Sequence, residues 1–440
     1  MKRNASLLTR IFLLAVLLAA VPELHAYSVL THEEIVDMAW KDQLQPLLLK
    51  RFPHMSEDDL RKAHAYAYGG AVIQDLGYYP FGSKEFSDLA HYVRTGDFVL
   101  ELIRESKDPN EYAFALGALA HYASDTEGHP AVNESVAIEF PKLRRKYGKS
   151  VTYAENPAAH LRVEFGFDVV QVAKERYAPD QYHDFVGFEV AQSLLERVVP
   201  KVYGIQFKDV IAHEDLAIGT YRWSVSSVIP KMTQVAKLVK QDPNAPEKWD
   251  TSKKLFLYHV KRADYEKEWG TTYRRPGVGT RFLAWVLRVV PKVGPFRALA
   301  FRSPTPQTMD LYFKSINRTI ARYRDELNQV GKGRLELENL NFDTGKPTEP
   351  AQYTLADDTY AKLLDQLAQE KFATVTPEMR AEIMEYYSNL DLPIKTKKDK
   401  KKWKKVLVEL DQLKAWRPER VLQKESVVGS QVLTNAAWVP

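Results

Sequence analysis

The stretch DPNEYAFALGALAHYASDTEGHP, residues 108–130, decides the fold. Asp108-Pro109-Asn110-Glu111 is a helix start: a capping side chain, proline at the first helical position and an acidic first turn. Tyr112, Leu116, Leu119 and Ala120 then recur at helical spacing. Into this apolar helix the chain sets His121 and Asp125, one turn apart on one face, where they can chelate one metal ion or bridge two. His129 follows four residues later, and the spacing predicts that it stands at the helix end, because Pro130 comes next.

The pattern outward from this stretch is also helical. Ser56-Glu57-Asp58-Asp59 opens a helix with a cap and an acidic first turn, and Asn156-Pro157 opens another. Residues 77–83 (GYYPFGS) read as a loop from their Gly and Pro. Alternating strand patterns are scarce from Ser56 to about Val235, so the expected class is all-α. A mainly helical extension follows, with short strands near 334–342.

Composition narrows the chemistry. The chain has 440 residues, 45% of them hydrophobic, enough for two or three domains. It contains no cysteine, which excludes disulfides, Cys-ligated zinc, iron–sulfur clusters and thiolate catalysis. Any metal must be held by His, Asp, Glu or backbone atoms. The net charge of +5 does not by itself imply nucleic-acid binding.

Lys2, Arg3 and Arg10 precede a short apolar run that ends before Pro22-Glu23-Leu24-His25-Ala26, the pattern of a secretory signal peptide. Residues 1–26 are expected to be removed after Ala26. The mature chain would then begin at Tyr27 with a net charge of +3, in an extracytoplasmic compartment, periplasmic or secreted. The expected domains are 27–235 and 236–440, with a polar break at 241–246. Residues 274–302 carry seven Arg or Lys and no acid among Phe282, Trp285 and several aliphatics. They read either as a core helix with basic edges or as a peripheral membrane contact; scattered charges favour the first. The lysine-rich run 395–405 reads as a solvated helix face or linker.

Further ligand candidates are dispersed before residue 170. His160 and Glu164 repeat the i, i+4 pairing. His32 lies five residues after the expected new terminus, and Asp75 and His91 flank the aromatic loop of Tyr78, Tyr79 and Phe81. His54, His64, His183, His213 and His259 have no comparable partner pattern and read as structural or surface residues. Neutral imidazole and carboxylate are the ligand set for catalytic zinc in a thiol-free protein.

In this order (early His, Asp, His, His-x-x-x-Asp, His, His-x-x-x-Glu) the chain resembles the zinc-dependent phospholipase C family, which is related in fold to trinuclear-zinc single-strand nucleases. The resemblance covers about 27–185 and implies three Zn2+ ions in an all-helical cleft. Asp75, His91, His121 and Asp125 would hold the first. Asp125 would bridge to a second, bound also by His32 and by the freed amine and carbonyl of Tyr27. His129, His160 and Glu164 would hold the third, although the gap from Asp125 to His129 is shorter than the family's usual one. It further implies attack of a zinc-activated hydroxide on a phosphodiester, with Asp75 and Asp125 as the catalytic carboxylates. Tyr78, Tyr79 and Phe81 are candidates for gripping the organic part of the substrate, or for simple packing of their loop. A phospholipid is the expected substrate, with no stable nucleic-acid partner. The alternatives are a single-strand nuclease or nucleotidase on the same core, favoured by the Tyr27–His32 interval, and a non-catalytic envelope protein.

Overall fold

The computed structural model describes residues 29–173, 186–230 and 303–417, together with 177, 183 and 233. The expected signal peptide, Tyr27, His259 and the basic segment 274–302 lie outside the described residues.

The protein is all-α. Its first part comprises α1 (Val29–Ala39), α2 (Glu57–Ala71), α3 (Lys84–Tyr92), α4 (Thr95–Glu105), α5 (Pro109–Glu139), α6 (Pro157–Ala173), α7 (Gln192–Tyr203) and α8 (Glu214–Trp223), with short turns of helix between them. Its second part comprises α9 (Pro306–Lys332), a two-stranded antiparallel hairpin of β1 (Leu340–Asn341) and β2 (Lys346–Pro347), then α10 (Thr354–Gln369), α11 (Pro377–Tyr386) and α12 (Lys400–Ala415). Among the described residues no helix is long and apolar enough to cross a membrane.

The expected caps are built as read. Ser56 and Asp59 form a reciprocal capping box on α2, and Asp108 accepts from Asn110 N and Glu111 N on α5. One expectation is corrected. The central helix does not end at His129; it runs through Pro130 to Glu139. Proline removes one N–H from the ladder, so the Thr126 carbonyl loses its usual helical donor. Packing on both sides of α5 holds the helix together across that point. Asn133 and Val136, beyond it, are buried.

Helix α5 is the axis of the molecule, packed against α2 on one side and α9 on another. It crosses α2 at glycines: a β-carbon on Gly70 would sit 1.9 Å from the Phe114 carbonyl oxygen, and one on Gly117 2.0 Å from that of Ala67. The two backbones therefore touch, and only glycine permits it. This brings the end of α2, and Asp75 just beyond it, beside His121.

One hydrophobic core runs through both parts. Tyr312, Phe313, Ile316, Ile320 and Tyr323 of α9 are buried with Leu116, Leu119 and Ala120 of α5. The hairpin inserts its turn beside α3, α4 and α5. Phe342 N donates to His91 O at 3.1 Å, Thr95 Oγ1 to Leu340 O at 2.8 Å, and Tyr122 Oη to Glu338 O at 3.0 Å. The lysine-rich run forms a short turn and the start of α12, capped by Asp399, with most of its lysines exposed.

A candidate metal centre around Asp125

Three consecutive i, i+4 positions on α5, His121, Asp125 and His129, make one buried stripe of ionisable side chains along the helix. His32 comes from α1, Asp75 from the turn after α2, His91 from the end of α3, and His160 and Glu164 from α6. All are buried.

Asp125 stands at the centre. Its Oδ1 is 3.5 Å from His32 Nε2. Its Oδ2 is 3.0 Å from His121 Nε2, 3.4 Å from His91 Nε2 and 3.6 Å from His129 Nε2. Asp75 Oδ1 lies 3.3 Å from His91 Nε2, and Glu164 Oε1 lies 2.8 Å from His160 Nε2. The rings of His32 and His121 stack with centroids 4.5 Å apart, and those of His129 and His160 meet edge to face at 5.3 Å. Three ligand sets emerge, each with its donor atoms within 4.8 Å of one another: His32, His121 and Asp125; Asp75, His91 and His121; and His129, His160 and Glu164.

The second ring nitrogens say what the first ones are. His91 Nδ1 is 2.8 Å from Ser87 O, and His121 Nδ1 is 2.9 Å from Ala71 O. A carbonyl only accepts, so each Nδ1 carries a hydrogen, and each Nε2, on the neutral ring that a metal requires, presents a lone pair inward. These Nε2 atoms face carboxylate oxygens, which also only accept. The Nε2 atoms of His91, His121, His129 and His160 form no hydrogen bond within the chain. Neither do Asp75 Oδ1, both Asp125 oxygens and Glu164 Oε1. Each such buried group costs about 1–3 kcal/mol if left unsatisfied. Divalent cations between nitrogen and oxygen would satisfy all of them at once, so the residues present fit zinc.

The electrostatics differ from one side chain of the cluster to the next. Burial pushes the Asp125 carboxyl up, but the His121 and His129 imidazoles outweigh it and hold it well below the ordinary range. His91 is pushed up to about 10: burial pulls it down, and its contacts with Asp125 and Asp75 prevail. Burial, assisted by the neighbouring His129, pulls His160 down to about 3, and burial raises Glu164 well above its ordinary value. His160 is therefore neutral.

The aromatic candidates sit in three different places. Tyr78 is buried and meets the His91 ring edge-on at 5.9 Å; Tyr79 is buried against Tyr221 at 4.9 Å; Phe81 is 55% exposed, in a left-handed conformation with φ +64°. Tyr78 alone of the three touches a histidine of the centre, and Tyr79 belongs to the helical core.

Two further carboxylates lie near the centre, and only the first has a spacing signal in the sequence. Asp168 continues the stripe of α6 one turn past Glu164. It accepts from Leu30 N at 3.2 Å and Thr31 Oγ1 at 2.6 Å, fastening the start of α1, and so His32, to α6. Asp343, in the turn of the hairpin, lies 2.5 Å from His129 Nδ1. Burial raises its carboxyl, but the bond to His129 outweighs burial and holds it below the ordinary range. Of the histidines set apart from the pattern, His54 and His213 are exposed. His64 and His183 join a buried network with Asp37 and Glu33.

Comparison with known proteins bears on the first part of the chain. Residues 31–212 match the family model described as zinc dependent phospholipase C, a span that contains His32, Asp75, His91, His121, Asp125, His129, His160 and Glu164. No curated protein and no solved structure matches the chain. The match agrees with the all-helical fold and with clusters of His, Asp and Glu able to bind metal. Over residues 31–212 the chain thus matches the zinc-dependent phospholipase C family.

Proposed function

We propose that the chain is an extracytoplasmic zinc-dependent phosphodiesterase that hydrolyses a phospholipid in the manner of a phospholipase C. The observation that carries this reading is the inward set of imidazole and carboxylate lone pairs around Asp125, within the span that matches the family.

Asp75, His91, His121 and Asp125 would hold one zinc. Asp125 would share a second with His32 and the amine and carbonyl of Tyr27, and His129, His160 and Glu164 would hold a third. Bound there, zinc supplies a water acidified to a pKa of about 7 and a positive field for the phosphoryl oxygens. The chain's own part is orientation and proton handling. Ser87 O and Ala71 O hold His91 and His121 with Nε2 inward. Asp125 supplies a carboxylate within reach of four imidazoles. Asp75, at the edge of the cluster, offers an oxygen to take the proton of the attacking water.

The test is hydrolysis of phosphatidylcholine vesicles by the mature full-length chain, with single-stranded DNA as the parallel substrate and a chelator as control. Chelator-sensitive release of phosphocholine supports the reading. Cleavage of DNA alone assigns the nuclease alternative, which the five-residue Tyr27–His32 interval favours. Hydrolysis of neither by zinc-replete protein contradicts both.

A further inference from the structure

A metal-ligating histidine needs two things: a lone pair aimed at the metal, and an acceptor behind the ring to fix its tautomer and orientation. His91 and His121 take that acceptor from backbone carbonyls, Ser87 O and Ala71 O, inside the family-matched span. His129 does not. Its Nδ1 faces Asp343 Oδ1 at 2.5 Å, and Asp343 lies 214 residues away, in a part of the chain that the family match does not reach.

Asp343 is itself held from three sides. Its Oδ2 accepts from Tyr92 Oη at 2.8 Å and from Tyr353 Oη, and its backbone carbonyl accepts from Asn133 Nδ2 at 2.7 Å. Asn133 is one helical turn beyond His129 on α5, and Tyr92 adjoins His91 at the end of α3. The same hairpin lays Phe342 against two more histidines of the centre, with ring centroids 5.4 Å from His91 and 5.9 Å from His121. It is fastened below by Asn339 Oδ1, which accepts from Gly96 N at 3.0 Å and Asp97 N at 3.1 Å. Every group that fixes Asp343 thus belongs to an element that also carries a centre histidine, or to the α10 side of the hairpin.

We propose that Asp343 is a positioning residue of the metal centre, delivered by the C-terminal hairpin, and that it sets the tautomer and strength of His129 as a ligand so that the family domain is incomplete without the region after it. The inference rests on the metal-centre reading above and deepens it. A carboxylate behind an imidazole makes it a stronger donor than a carbonyl does. The site of His129, His160 and Glu164 is therefore the one whose affinity depends on Asp343.

The experiment is zinc competition against a chromophoric chelator, on the mature full-length chain and its Asp343→Asn variant, with helicity monitored. The expected result is about 10–100-fold weaker binding of one zinc, with the remaining zinc held as in the wild type. In a His129→Gln background the same substitution should have no further effect, because its route of action is gone. Unchanged affinity for every zinc, or an effect that adds fully to that of His129→Gln, overturns the proposal. Should Asp343→Asn not fold, nitrogen-15 NMR of the zinc-loaded wild type decides. The proposal requires His129 to ligate through Nε2 with a slowly exchanging Nδ1–H, and ligation through Nδ1 or rapid exchange overturns it. A wild type that binds no zinc removes the metal-centre reading together with this one; a zinc-replete wild type with an indifferent Asp343→Asn removes this one alone.

Discussion

Asp125 and His32 meet across 93 positions of sequence, carboxylate Oδ1 to imidazole Nε2 at 3.5 Å, with neither side chain exposed to solvent. The same carboxylate reaches His91, His121 and His129 through its other oxygen. One side chain on α5 therefore joins helices α1, α3 and α5 in a single polar centre.

Replacing that carboxylate tests the centre directly. Asp125→Asn keeps the volume and removes the bridging charge. Zinc content should fall, and hydrolysis should drop on the order of 10²-fold or more, since several kcal/mol of transition-state stabilisation goes with the lost metal. Elemental analysis beside a vesicle assay reads both, and a fully active, zinc-replete Asp125→Asn would exclude the bridging role.

The hairpin is expected to matter for stability as well as for the centre. Phe342→Ala empties a fully buried site packed on His91, His121 and Tyr122, at a cost of about 3–5 kcal/mol. Gly345 has φ +66°, and a β-carbon there would lie 2.3 Å from the Thr126 carbonyl, the one that Pro130 deprives of its helical donor. Gly345→Ala should therefore destabilise by at least about 1–3 kcal/mol. Thermal melting of metal-free chains checks both; wild-type melting temperatures would mean that the hairpin contributes nothing to the fold.

A second prediction of stability concerns pH. His183 Nδ1 is 3.0 Å from Glu33 Oε2, and its Nε2 is 3.7 Å from Asp37 Oδ2. Burial pulls its pKa down, but Glu33 and Asp37 prevail and hold it well above the ordinary 6.5. A raised histidine stabilises fully below its unfolded value and loses that contribution as pH climbs through the folded one. His183→Gln should thus melt below the wild type at pH 6, by an amount equivalent to about 3 kcal/mol, and the gap should narrow in alkaline buffer. A gap that stays constant with pH would show that no charged imidazole is involved.

Much of this arrangement is legible in the sequence. The cap at Asp108 and the apolar periodicity after it give α5, and the pairs His121/Asp125 and His160/Glu164 advertise themselves because helical neighbours sit four residues apart. The helix running past Pro130 is not legible: proline is a local stop signal, and what overrides it is packing by segments far along the chain. Asp343 is hidden for a related reason. Its partner is 214 residues away, so no spacing records the contact. The only hint is the FDTG turn beside the weak strands expected near 334–342, which the structure realises as β1 at Leu340–Asn341.

The resemblance to zinc-dependent phospholipases implies a ligand at the very start of the mature chain. If the amine of Tyr27 completes the second zinc set, one extra residue ahead of it should reduce zinc content by one ion and lower activity while leaving the helical circular dichroism intact. Equal zinc content and activity in the extended and authentic chains would exclude the terminal amine.

The account is tested most directly by the zinc content of the folded full-length chain bearing an authentic Tyr27 terminus, measured by elemental analysis after dialysis against metal-free buffer. With three clusters able to hold a metal, the expected result is about three zinc ions per chain. A helical, folded protein that retains none would contradict the metal centre and the hydrolytic function built on it.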